Sequence, residues 1–249
     1  MKALFLGSGY TGNFFRILYP YSIHSFRNKE NILKHGGGVL FNVNDRSTWH
    51  NIEKTDPDGI VISFPLNECD YIEEFLELCL KISERIAVIG TTSGFQKNLS
   101  EITDESPLDS TNPRTAAEEY FRKKGASVIH SAGIYGPGRN PLDWIKRGLI
   151  RNSMSTVNLV HAEDLARACS FILENFSQCS QFVLSDGHPY KWKEIIQFAL
   201  KKHMISESDI PPDSPQSSAR IVKPLRLFDM GFTLRHPVLF DELQSLEPI

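Results

Sequence analysis

The sequence predicts an α/β fold: a doubly wound parallel sheet with a smaller C-terminal lobe. Three observations predict it. An apolar N-terminal strand runs straight into a glycine-rich turn, Gly7-Ser8-Gly9-Tyr10-Thr11-Gly12. Short apolar segments then alternate with amphipathic helical patterns through most of the 249 residues. Past residue 184 this alternation fades while the chain stays apolar. Each crossover between parallel strands deposits a helix on one face, so the alternation implies a sheet covered on both sides.

Seven segments have strand character, at 3–6, 23–26, 38–43, 59–64, 86–90, 127–131 and 181–184. Helical patterns separate most of them. Over 71–84, Ile72, Phe75, Leu76, Leu78 and Leu80 recur at helical spacing. A second helix at 115–124 is stopped by Gly125. A third at 163–176 places Leu165, Ala166, Ala168, Phe171 and Ile172 on one broad face. Beyond the last strand come an amphipathic helix at 190–203 and a Pro- and Ser-rich loop at 211–218. The tail from Arg220 keeps Leu225, Leu227, Phe228, Phe232, Val238, Leu239 and Phe240, too apolar for disorder. Residues 1–184 are expected to form the core, with 141–156 contributing to the lobe, and 185–249 to form the lobe itself.

The glycine spacing has a chemical reason. Gly7 permits a tight turn, Gly9 lets backbone approach a pyrophosphate, and Gly12 lets the helix pack close to the strand. Amides at the helix start point at the anion with the positive end of the helix dipole behind them. In an open sheet of this kind the ligand lies at the carboxyl ends of the strands.

Composition excludes other classes. A net charge of -3 gives no electrostatic reason to expect nucleic acid. No apolar run reaches the ~18 residues of a membrane span, so no membrane partner is expected. Cys69, Cys79, Cys169 and Cys179 form no C-x-x-C pair and read as buried thiols in a reducing cytoplasm.

Later motifs carry a resemblance. His130-Ser-Ala-Gly133-Ile-Tyr135-Gly-Pro-Gly-Arg139-Asn140 resembles the strand-six segment of the extended and atypical short-chain dehydrogenase/reductases, many of them epimerase/dehydratase-like. Val157-Asn158-Leu-Val-His161-Ala-Glu-Asp164-Leu-Ala resembles that family's segment before its next helix. Leu184-Ser-Asp-Gly-His188-Pro189-Tyr resembles the strand and turn into its substrate lobe. Thr91-Thr92-Ser93-Gly94 falls at its Ser/Thr-rich end of strand five. The pieces occur in family order, and only the last thirty or so residues match loosely.

The resemblance implies a Rossmann core holding NAD or NADP and a C-terminal lobe for a small-molecule substrate. Gly7, Ser8, Gly9, Tyr10, Thr11 and Gly12 would form the pyrophosphate turn, with Asn42 and Val43 near adenine. Phe64, Pro65 and Thr91 would end the strands beside the cofactor. Two departures stand out. Leu6 replaces the first glycine of the longer family pattern, and Phe64-Pro65 replaces a common Ala-Gly pair.

Strand two ends Ser25-Phe26-Arg27-Asn28-Lys29, with no acid before Glu30. A carboxylate there would bind the ribose hydroxyls of NAD, whereas arginine suits the 2′-phosphate of NADP. Arg27 therefore points to NADP over NAD.

Active members of the family use a Tyr-x-x-x-Lys pair near the start of the helix before strand six. Tyr120 and Lys124 have that spacing, but they occupy the last turn of their helix and are a decoy. Aligning Glu118 with the family's glutamate puts Ser110 and Arg114 at the catalytic positions. Arginine can hold ribose or phosphate oxygens but is a poor proton relay. Thr92 matches the Ser/Thr that bonds the substrate oxygen, and reads equally as a capping hydroxyl.

Other site readings are weaker. His161, Glu163 and Asp164 suggest a metal, yet acids at a helix start are explained by the dipole, so no metal is expected. Ser93 lacks a nucleophile elbow, and Tyr135 reads as packing. Two functions remain open. One is an NADP-dependent oxidoreductase or epimerase/dehydratase-like enzyme on a small carbonyl or sugar-like substrate. The other is a dinucleotide-binding protein without catalysis.

Overall fold

The computed structural model describes residues 1–178, 180–215 and 219–246. Cys179, the end of the 211–218 loop (216–218) and the last three residues lie outside the described residues. β1 (Ala3–Leu6) is buried along its whole length. The reason is topological, because it pairs in parallel on one edge with β2 (Ile23–Phe26) and on the other with β4 (Gly59–Ile62). A strand flanked on both edges and covered on both faces reads as a continuous apolar run.

The chain continues through β3 (Val39–Leu40), β5 (Ile86–Thr91), β6 (Glu101–Ile102), β7 (Ser127–Ser131), β8 (Gly133–Tyr135), β9 (Thr156–Val157), β10 (Leu159–His161), β11 (Gln181–Leu184), β12 (Tyr190–Lys191) and β13 (Ile221–Val222). Seven strands form the main sheet in the order β11-β7-β5-β4-β1-β2-β3. The order reverses between β1 and β4, which marks the switch point where a doubly wound sheet opens a crevice. The helices used below are α1 (Tyr10–Leu18), α2 (Lys29–Lys34), α3 (His50–Glu53), α4 (Ile72–Ile82), α5 (Pro113–Lys123), α6 (Pro141–Lys146), α7 (Ala162–Glu174) and α8 (Trp192–Lys201).

The chain divides into two interleaved compact units. The first comprises Met1–Lys97, Pro107–His130 and Leu165–Phe182. The second comprises Asn98–Ser106, Ser131–Asp164 and Val183–Ile249. Within the first unit, Phe75 of α4 stands at the centre of an aromatic cluster. Its ring lies 5.7 Å from Phe41, 5.9 Å from Phe64 and 5.9 Å from Phe121. The second unit has its own core of Tyr135, Leu142, Leu159, Tyr190, Ile195 and Leu239. Its tail is fastened by polar contacts as well as apolar ones. The buried Asp164 carboxylate accepts the amides of Arg235 at 2.7 Å and His236 at 2.9 Å. The Leu239 amide donates to the Tyr190 hydroxyl at 2.9 Å.

Two strands are shorter than their patterns predict. Segment 59–64 ends as a strand at Ile62. Segment 38–43 pairs only at Val39–Leu40, because Asn42 turns into a local loop. Its amide donates to Thr48 Oγ1 at 3.0 Å, and its Oδ1 accepts from Asn44 at 3.2 Å. Asparagine side chains compete in this way with strand pairing. Among the described residues no helix is long and apolar enough to cross a membrane.

Candidate functional site

The switch point carries a cleft of about 430 Å³ at the carboxyl ends of β1, β2 and β4. Gly7, Ser8, Gly9, Arg27, Val43, Phe64 and Pro65 line it, together with Ser25, Phe26, Asn28, Asn31, Phe41 and Ser63. Gly7 turns at φ +87, and a Cβ there would meet Ser63 Oγ at 2.9 Å. Only glycine combines that backbone with that space. At Gly12 a Cβ would lie 3.0 Å from the Phe5 ring, so α1 rests directly on β1. Beside Gly9 the only atom found is the Gly7 carbonyl oxygen at 3.9 Å, and the space is open.

Helix α1 starts at Tyr10, and its N-cap is Gly9, which has no side chain to bond the first-turn amides. An uncapped helix start at a cleft is suited to an anion, which satisfies those donors and meets the dipole. The turn beneath it is rigid. The Gly7 amide donates to Ser25 Oγ at 3.1 Å, and Ser63 Oγ donates to the Gly7 carbonyl at 2.5 Å. Phe41 and Phe64 form an apolar wall that Phe75 supports from behind. These features fit the adenosine diphosphate half of a dinucleotide.

The remaining expected positions stand outside this lining. Tyr10 sets its ring edge against Phe14, and Thr11 and Gly12 are buried. Asn42 is engaged in its own turn. Thr91 ends β5 and its Oγ1 accepts from the Ser93 amide at 3.3 Å, capping the short turn of Thr92, Ser93 and Gly94. Thr92 is half-buried within that turn. The serines at 25 and 63 were missed from sequence. Their signal was a hydroxyl at position 25 inside the last pair of β2 and another directly after β4.

Arg114 is committed elsewhere. Its Nε donates to Glu118 Oε1 at 2.8 Å, and a terminal nitrogen donates to the Ile89 carbonyl of β5 at 3.2 Å. Glu118 is buried, and that burial pushes its carboxyl up to about 6 against the pull of Arg114. Its other oxygen faces Nδ1 of the fully buried His130 at 3.7 Å. Burial brings His130 down to about 4, so its ring is neutral near pH 7. Ser110 is exposed, and Tyr120 packs against the apolar core in the last turn of α5.

In the second unit, His161, Glu163 and His236 bring ligand-type atoms within 4.8 Å of one another. Asp164 is absent from the group because its oxygens hold two backbone amides. His236 lies between Glu163, 3.1 Å from Nε2, and Glu242, 3.0 Å from Nδ1. Tyr135 is fully buried, and desolvation followed by the charge of Asp186 raises its pKa.

Neither a protein-family model nor a curated protein sequence matches the chain. Solved structures do. A putative NAD-dependent epimerase/dehydratase from Methylobacillus flagellatus aligns over 98% of this chain and 97% of its own, with a TM-score of 0.76 and 17% identity. The Bordetella bronchiseptica enzyme WbmG, solved with NAD and UDP, aligns over 98% and 93%, with a TM-score of 0.77 and 15% identity. A conserved protein of unknown function from Silicibacter pomeroyi aligns over 98% and 97%, at 0.74 and 19%.

The chain has the fold of the extended short-chain dehydrogenase/reductases. Its topology matches that of NAD-binding, epimerase/dehydratase-like enzymes. The neighbours described with a bound dinucleotide, among them a dTDP-glucose 4,6-dehydratase and a UDP-glucose 4-epimerase, hold NAD. This overturns the expectation of NADP drawn from Arg27. The cleft gives a physical reason why the arginine misled. Arg27 shares this lining with Asn28 and Asn31. Asn28 Oδ1 accepts the Asn31 amide at 2.9 Å, and a carboxamide NH2 can bond a neutral ribose diol without needing a phosphate charge.

Proposed function

We propose that this chain is an NAD-dependent enzyme of the epimerase/dehydratase type acting on a small carbonyl or sugar-like substrate. The observation that carries the reading is the cleft at the switch point, with its glycine turn and uncapped helix start. In this reading the first-turn amides of α1 hold the pyrophosphate, and Asn28 with Arg27 holds the adenosine ribose. Phe41, Val43 and Phe64 pack against adenine. Bound NAD would supply hydride acceptance and return. Thr92 would donate a hydrogen bond to the substrate oxygen and so favour charge on it.

One observation favours a second reading, a dinucleotide-binding protein without turnover. Arg114, at the position of the family's lysine, is tied to Glu118 and the Ile89 carbonyl. A guanidinium so held moves no proton.

Calorimetric titration with NAD, followed by incubation with NAD and a panel of nucleotide sugars and small carbonyls, separates the two. NAD binding with conversion of a panel member is the expected result. Binding without conversion of any member selects the second reading, and absence of NAD binding overturns both.

A further inference from the structure

At the opposite ends of β2 and β3 from the cleft lies a second cavity, of about 480 Å³. Arg16, Ser22, His24, His35 and the glycines at 36, 37 and 38 line it, and no acidic residue is among its lining residues. Arg16 sits in the last turn of α1. Its terminal nitrogens reach the His35 carbonyl and Nδ1 only at 3.4 Å each, the long limit of a hydrogen bond. Its Nε is buried with no partner. The guanidinium is half-buried, and with two long bonds and an orphan Nε it has donor capacity that no anionic side chain meets.

The histidines are oriented to donate or are already neutral. Arginine cannot accept, so Nδ1 of His35 does, and Nε2 carries a proton in either charge state. The ring lies flat on Phe26, with centroids 5.1 Å apart and planes within 6°. Ser22 Oγ donates to the Tyr19 carbonyl at 2.5 Å, and therefore accepts from His24 Nε2 at 2.8 Å. His24 Nδ1 in turn accepts from Ser8 Oγ at 2.8 Å. Burial first, then Arg16 and His35, holds His24 at about 4.

We propose that this cavity is a binding site for a small phosphate anion or phosphate monoester, anchored by Arg16 and bordered by His35 and the glycine loop. The Gly36 and Gly37 amides already donate to the Leu33 and Ile32 carbonyls, so the donors the lining offers are the Arg16 guanidinium of α1 and Nε2 of His35. These two separate elements suit a tetrahedral oxyanion better than a planar carboxylate. The site is independent of the dinucleotide reading, although Ser8 lines the cleft and joins the two through His24.

The test is isothermal calorimetry of the full chain with inorganic phosphate at constant ionic strength. Phosphate could also occupy the glycine turn, so Gly9→Val is measured in parallel and should keep phosphate affinity within about twofold. Arg16→Gln should weaken phosphate about tenfold or more, the loss of charge-assisted bonds. Gly36→Asp covers the case in which Arg16→Gln does not fold. Gly36 has φ +72, which aspartate tolerates, and a Cβ there meets nothing within 4 Å. Its added carboxylate should also weaken phosphate, while acetate should bind the wild type more weakly than phosphate does. Absence of phosphate binding, loss of it in Gly9→Val, unchanged affinity in the folded Arg16 or Gly36 variants, or equal affinity for acetate would each overturn the proposal.

Discussion

Two helix starts in the first unit face the same physical problem and solve it differently. At α1 the N-cap is Gly9, which has no side chain to offer, and the space beside it is open. At α5 the Asn112 carboxamide accepts from the Arg114 and Thr115 amides, at 3.0 and 3.4 Å. One turn further on, Arg114 pairs with Glu118. In the proposed reading the first helix start would take a ligand, whereas the second is closed by its own side chains. The difference teaches that a helix start led by glycines at a cleft can serve a ligand, while one capped by Asn112 and followed by the Arg114–Glu118 pair serves the packing.

Gly9→Val has the largest expected effect. It should lower NAD affinity about 100-fold by filling the space where backbone and pyrophosphate meet, with little change in melting temperature. Undiminished binding in calorimetry would erase the contrast between the two helices.

Arg114→Ala comes next. It strands the buried Glu118 carboxylate and should cost about 2–3 kcal/mol in urea unfolding. Adding Glu118→Gln should recover part of that loss. A catalytic Arg114 would instead show normal stability with abolished turnover.

The buried cluster also sets a pH dependence. His130, with a folded value near 4 against about 6.5 unfolded, leaves the unfolded state binding more protons. Its stabilising contribution is therefore lost as pH falls from about 6.5 to about 4. Glu118, raised to about 6, works in the other direction, and its contribution is lost as pH rises from about 4.5 to about 6. His130→Gln should flatten the loss of melting temperature on acidification, while Glu118→Gln should steepen it. Equal slopes in both variants and wild type would mean that the cluster does not titrate on folding.

Tyr120→Phe should do least. Its ring packs on the apolar core in the last turn of α5, so NAD affinity and any turnover should stay within about twofold of wild type. A proton relay would lose about 100-fold or more.

The sheet was legible because its signal is local. Strands at 3–6, 23–26, 127–131 and 181–184 appear with the same ends in the structure, since buried parallel strands read as short apolar runs. The glycine turn was legible for the same reason, as its spacing encodes backbone geometry. Ser25 and Ser63 were not. Each is an ordinary serine until the chain brings β2, β1 and β4 side by side and sets both hydroxyls on Gly7.

Arg27 shows the limit from the other side. Read alone, its charge argued for NADP, yet it shares the cleft with Asn28, Asn31 and Ser25, and their neutral donors and acceptors are counted only after folding. Sequence by itself determined the seven strands of the main sheet and the glycine turn, because backbone conformation is a local property. Tertiary structure alone decided that Arg114 pairs with a buried Glu118, that His236 joins His161 and Glu163, and that Arg16, His24 and His35 share one cavity. Those groupings depend on distances between residues far apart in the chain, and only packing sets such distances.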